Sequence, residues 1–185
     1  VHDIREDPLC RRRPGHQFVE APVVRGGVHE PGTGQISRPK RAGDVTLSHQ
    51  SADTFCVGGD GCDDGDNLDS FELSLITAGS LSIISNTSLK VGPIAADVSD
   101  GFGPLSLTST ESDIVFTDPN VFQRLAVNAA GGIRVNANLT IVTGDVMFNA
   151  DSDASGSGSL RVADGATLTA SSGGIDLFAA DVDLG

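Results

Sequence analysis

The sequence predicts an all-β fold, a right-handed parallel β-helix, with a β-sandwich as the alternative. Three observations carry that expectation. First, apolar residues recur two apart in bursts of four to six residues, most clearly between Arg124 and Gly185: Leu125/Val127, Ile133/Val135, Leu139/Ile141, Val146/Phe148, Leu160/Val162, Ile175/Leu177 and Val182/Leu184. Residues two apart on a strand share a face, so each burst has one apolar side and one polar side. Second, Gly, Asn, Asp or Ser fills most gaps between bursts, as turns require. Third, the large aromatics are eight Phe with no Trp or Tyr, which suits thin layers of Val, Ile and Leu better than a conventional mixed core. No long stretch keeps a 3.6-residue period, so helices are not expected to be major elements.

Internal similarity favours the β-helix over a sandwich of hairpins. GDVTLS (43–48) resembles GDVMFN (144–149), GSLSI (79–83) resembles GSLRV (158–162), and GGIRV (131–135) resembles GGIDL (173–177). An apolar-Asn-Ala triplet occurs at Val127-Asn128-Ala129, Val135-Asn136-Ala137 and Phe148-Asn149-Ala150. Related bursts recur at about 21 to 24 residues (Leu105 to Val127, Phe116 to Leu139, Val146 to Leu168), a length that suits one turn of a solenoid. Asn128 and Asn149 are then expected to stack at equivalent turns, as an amide ladder.

Taken in order, residues 1–43 carry five Pro, the run Arg11-Arg12-Arg13 and no apolar period, and are expected to be a disordered leader. A first strand is expected at 44–48. The stretch 57–69, VGGDGCDDGDNLD, is too acidic and glycine-rich for a strand and is expected to be a loop. Bursts follow as FELSLI (71–76), SLSIIS (80–85) and SLKV (88–91), then an excursion at 92–104, then LSLTS (105–109) and DIVFT (113–117). DPNVFQ (118–123) reads as a turn around Pro119.

Charge divides the chain. Residues 1–43 hold eight Lys/Arg and five Asp/Glu, whereas residues 44–185 hold four and twenty, a net of −16. Such a body repels phosphate, so no nucleic-acid partner is expected. No run of about 18 apolar residues is present to span a membrane, and residues 1–30 show no signal-peptide core. Of the three cysteines, Cys10, Cys56 and Cys62, the last two are spaced to close a small loop in an oxidising compartment, or to remain free thiols.

Two acidic segments are the only metal candidates. In the first, GGDGCD (58–63) matches the opening of a calcium-binding nonapeptide, with Asp60, Asp63, Asp64 and Asp66 as oxygen donors, but Gly65 stands at its apolar place and no tandem copy follows. In the second, Asp151 and Asp153 with Ser155-Gly156 have the opening spacing of an EF-hand loop, whose twelfth place is Val162 rather than an acid. Solvated turns are the plainer expectation for both, with calcium as the possible ion. No catalytic set is evident: the body lacks Tyr and Trp, and its cations are Lys90, Arg124, Arg134 and Arg161. An enzyme is therefore not expected; a carbohydrate-active β-helix lyase or hydrolase is the alternative.

From about Gly43 onward, and most clearly over GDVMFNADSDASGSGSLRVADGATLTASSGGIDLFAADVDL (144–184), the chain resembles the repeat region of bacterial surface proteins of the filamentous-haemagglutinin and autotransporter-adhesin type. The resemblance implies a secreted or outer-surface β-helical stalk or scaffold without catalysis. Its partner would be a glycan or protein of a host or neighbouring cell, and its export signal would lie outside this chain. The NPNL-type secretion motif of such proteins is not seen here. An uncapped β-helix also exposes strand edges, so end-to-end self-association is expected.

Overall fold

The computed structural model describes residues 43–59 and 65–185. The leader expected over residues 1–43 lies, apart from Gly43, outside the described residues, as do residues 60–64.

The chain lays down its elements in successive circuits. The first contains β1 (Asp44–His49), β2 (Phe55–Val57), β3 (Asp66–Leu68) and helix α1 (Ser70–Ser74), and the second β4 (Ser80–Ser85), β5 (Leu89–Val91) and helix α2 (Ala96–Ser99). Three circuits of strands follow: β6 (Leu105–Ser109), β7 (Asp113–Phe116) and β8 (Asn120–Phe122); β9 (Leu125–Ala129), β10 (Gly132–Val135) and β11 (Leu139–Ile141); β12 (Val146–Asn149), β13 (Ser159–Val162) and β14 (Leu168–Ala170). The last described elements are β15 (Ile175–Phe178) and β16 (Asp181–Leu184).

These strands form three sheets, ordered β1-β4-β6-β9-β12-β15, β16-β13-β10-β7-β5-β2-β3 and β14-β11-β8. Every pairing among the described strands is parallel, so none is a hairpin of the sandwich alternative. From the third circuit on, the chain visits the first, second and third sheet in turn. In the second circuit α2 takes the third side, packed against β8, and α1 packs against α2.

Register turns the alternation into ladders. In the first sheet Leu47, Ile83, Leu107, Val127, Phe148 and Leu177 are successive partners. In the second, Leu68, Val57, Val91, Phe116, Val135, Val162 and Leu184 form another. The central members are fully enclosed and share one core with Leu139 and Ile141 of the third sheet. Each such side chain contributes about 1.5–3 kcal/mol by burial. Three Phe meet within this core, with Phe116 edge-on to both Phe122 and Phe148.

Several expectations change. FELSLI is not a strand: Ser70–Ser74 is helical because Asp69 accepts from the Glu72 N–H at 2.7 Å while Glu72 accepts from the Asp69 N–H at 3.1 Å, a reciprocal capping box. The 92–104 excursion contains helix α2, and DPNVFQ contains strand β8. The 57–69 loop is flanked by structure: Val57 closes β2, and Asp66–Leu68 is strand β3, paired with β2. Gly58 and Gly59, at φ +78° and +67°, turn the chain out of β2, and the Gly58 N–H bonds the Leu68 carbonyl at 2.9 Å.

The motif matches divide. GDVTLS and GDVMFN lie on the same sheet, where Val45 of β1 and Val146 of β12 hold equivalent inward positions. GSLSI lies on the first sheet and GSLRV on the second, while GGIRV lies on the second and GGIDL on the first. The spacings of 21 to 24 residues likewise join different positions: Leu105 pairs with Leu125 and Phe116 with Val135, and Val146 and Leu168 sit on different sheets. Asn128 and Asn149 do stand side by side in register, on the outward face. Asn149 Oδ1 accepts from the Asp151 N–H at 3.4 Å, so its acceptor serves the following turn rather than an amide ladder.

Candidate functional site

The densest meeting of chemically versatile side chains is at the first circuit, where β1 ends. Alternation along β1 (Val45, Leu47, His49) aims His49 inward, and its side chain is 9% exposed. Its ring stacks on Phe55 of β2, with centroids 4.5 Å apart and planes 9° from parallel. His49 Nε2 lies 2.9 Å from Asp66 Oδ2 on β3, and Nδ1 lies 3.1 Å from Ser85 Oγ, the register partner of His49 on β4.

Proton counting fixes one of the inner bonds. Thr87 Oγ1 donates to the Asp53 carbonyl at 2.7 Å, the shortest contact of the group, so its one proton is committed there. Ser85 Oγ lies 3.2 Å from Thr87 Oγ1 and 3.1 Å from His49 Nδ1, with one proton for the two. Ser85 also accepts from the Thr87 N–H at 3.1 Å. The row continues inward: Ser109 Oγ donates to the Thr87 carbonyl at 2.9 Å and accepts from the Ser112 N–H at 3.2 Å.

Serine, histidine and aspartate in contact have the composition of a hydrolase triad, but the geometry here is different. Ser85 is completely enclosed, and it meets the ring at Nδ1 with Asp66 at Nε2, the reverse of the order in a serine triad. A nucleophile needs access to substrate, which an enclosed hydroxyl lacks. The cluster instead satisfies polar groups where the first and second sheets meet. Sequence reading passed over it because its members are 17 and 36 residues apart. One signal was present: a histidine at the inward place of an alternating strand must find partners.

Among the metal candidates, Asp60, Asp63 and Asp64 lie outside the described residues. Asp66 is placed on β3 against His49. Asp151 accepts from the Gly156 N–H at 3.2 and 3.0 Å through its two oxygens and from the Ser155 hydroxyl at 3.1 Å; Asp153 accepts from the Ser155 N–H at 3.2 Å. Desolvation raises the Asp151 carboxyl, but the Gly156 and Ser155 donors lower it by more, holding it below its ordinary value. Val162, at the twelfth place, is a core residue of β13. Among the described residues no three His, Cys, Asp or Glu converge as a metal ion requires. Cys56 is buried and disulfide-bonded. No helix among the described residues is long and apolar enough to cross a membrane.

No protein-family model, no curated protein and no solved structure matches this chain.

Proposed function

We propose that the chain is a stretch of right-handed parallel β-helix that serves as a non-catalytic rod or scaffold of a secreted or surface adhesin. The observation that carries this reading is the pair of unbroken cross-strand ladders, with the chain passing from sheet to sheet once per circuit. Stacked circuits of that kind build length by repetition and present long ordered faces, as solenoids do. Right-handedness is the near-universal sense of parallel β crossovers. The disulfide at Cys56 supports an oxidising compartment, consistent with export. The reading requires no cofactor, and it leaves the enclosed Ser85-His49-Asp66 group a structural role.

Display of the chain on a non-adherent bacterium tests it. Retention on glycan- or protein-coated surfaces is expected, without turnover of acidic polysaccharides. Turnover that is lost on a single Asp→Asn change would overturn the non-catalytic reading, and absence of retention on every coated surface would overturn the adhesive one.

A further inference from the structure

We propose that the outward face of the second sheet is a docking track for a sparse linear polyanion, an acidic polysaccharide laid across the strands. Residues 44–185 hold only four cations, Lys90, Arg124, Arg134 and Arg161, among twenty acids. Three of the four fall in one cross-strand row: Lys90 registers with Val115, Val115 with Arg134, and Arg134 with Arg161. At the usual strand spacing of about 4.8 Å, Lys90 stands about 10 Å from Arg134, and Arg134 about 5 Å from Arg161.

Folding alone does not favour this row. Like charges directly opposite each other destabilise a sheet, and this body has few cations to place. Each arginine instead reaches toward an acid and stays largely solvent-exposed. Arg134 Nη2 lies 2.6 Å from Asp113 Oδ2, and Arg161 Nε lies 3.5 Å from Asp183 Oδ2, with the arginine side chains 58% and 67% exposed. The Arg161–Asp183 pair is exposed on both sides and weak, so a ligand carboxylate can replace that acid; Asp113 is only 25% exposed, so a ligand would meet the remaining exposed N–H groups of Arg134. On the neighbouring outward positions Gly132 and Ser159 are small, which leaves the guanidinium groups accessible.

The spacing selects the ligand. Three positive charges over about 15 Å suit a chain with one carboxylate per sugar or per disaccharide. Duplex DNA carries one charge per about 1.7 Å and would meet the field of twenty acids. The inference names a partner class for the adhesive reading and rests on it.

The test uses the full chain and a labelled hyaluronan octasaccharide, with anisotropy read at low and at physiological salt and folding checked by circular dichroism. Binding is expected at low salt and should weaken as salt rises. Lys90→Gln and Arg161→Gln should each weaken it about threefold to fivefold, the scale of one exposed charge pair. Arg124→Gln makes the same change in net charge off the row and should leave affinity unchanged. Equal weakening by Arg124→Gln, or equally tight binding of a short DNA duplex, would overturn the track. Absence of hyaluronan binding while the displayed chain is still retained on other coated surfaces would overturn the track alone.

Discussion

The first circuit and the middle circuits use the same ladders but are held together by different means. Between Leu105 and Val146 each step to the next circuit takes 20 or 21 residues, and the chain is almost all strand and tight turn. From Val45 to Leu81 the step takes 36 residues. The added length contains the acidic segment, strand β3 and the capped helix α1. The middle is held by apolar neighbours above and below. The first circuit adds a disulfide at Cys56, a capping box, and the His49-Asp66-Ser85-Thr87 hydrogen bonds. The last described strands, β15 and β16, have none of these: Phe178 and Leu184 are 55% and 61% exposed although both strands keep their register. In the middle circuits, inward residues on strands paired on both sides are enclosed, whereas those on β15 and β16, each paired with one described strand, stay partly exposed.

The largest expected effect separates interior from end. Leu160 is fully enclosed between Ile133 and Val182, so Leu160→Asp places an unpaired charge in the ladder and should cost several kcal/mol, enough to unfold the chain. Val182→Asp, one strand further along the same row and 43% exposed, should cost under about 1 kcal/mol. Urea denaturation of the two variants measures the gap; equal midpoints would show that the two positions do not differ in packing.

The next effect is confined to the first circuit. Removal of the disulfide by Cys56→Ser should cost about 2–4 kcal/mol. Faster hydrogen exchange is expected at β2 and β3, with β9 to β11 unchanged, because local opening follows cooperative units. Uniform acceleration across the chain would mean that the first and middle circuits unfold as one unit.

Asn120 tests how the helical second circuit joins the strands that follow. It is buried on β8; its Oδ1 accepts from the Ile94 N–H at 2.7 Å, and its Nδ2 donates to the carbonyls of Gly92 and Asp118 at 3.2 and 2.8 Å. Asn120→Ala leaves those backbone groups unpaired and should cost about 1–3 kcal/mol in thermal or urea unfolding. A variant as stable as the parent would show that water replaces the amide.

These contrasts also explain what the sequence made legible. Period-two alternation identified the inward pairs from Leu125/Val127 to Leu160/Val162, because on a parallel ladder every circuit repeats the same demand for an apolar side chain. It did not say which sheet a burst belongs to. GGIRV and GGIDL look alike because both encode a turn followed by a strand, and such a step occurs on more than one side of the molecule. Helix α1 was misread since Phe71, Leu73 and Leu75 also alternate; the Asp69-to-Glu72 spacing was the overriding local signal. Strand β3 sets one partly buried residue, Leu68, against the core and owes its conformation to pairing with β2, a tertiary effect that no local pattern carries. The His49 cluster was hidden for the same reason.

The smallest effect lies in the loop between β12 and β13, where an insertion leaves the middle circuits without disturbing their register. Asp151 gathers the Gly156 N–H and the Ser155 hydroxyl, and Ala154 takes φ +55° to close the turn. Desolvation opposes the ionised form, but these donors favour it more, so the carboxyl lies below its ordinary value in the folded chain. In the window between the folded and unfolded values, the unfolded chain binds the extra proton. The stability that Asp151 contributes is therefore fully present above the ordinary aspartate value of about 3.9 and is lost as pH falls through the lower, folded value. Asp151→Asn keeps one acceptor oxygen but removes the charge. The difference between parent and variant melting temperatures should be small, constant from pH 7 down to about pH 4.5, and shrinking below about pH 4. A difference that stays constant down to pH 3 would show that the charge of Asp151 does not hold the turn. A difference that grows on acidification would reverse the sign of the linkage and place the carboxyl's proton in the folded state.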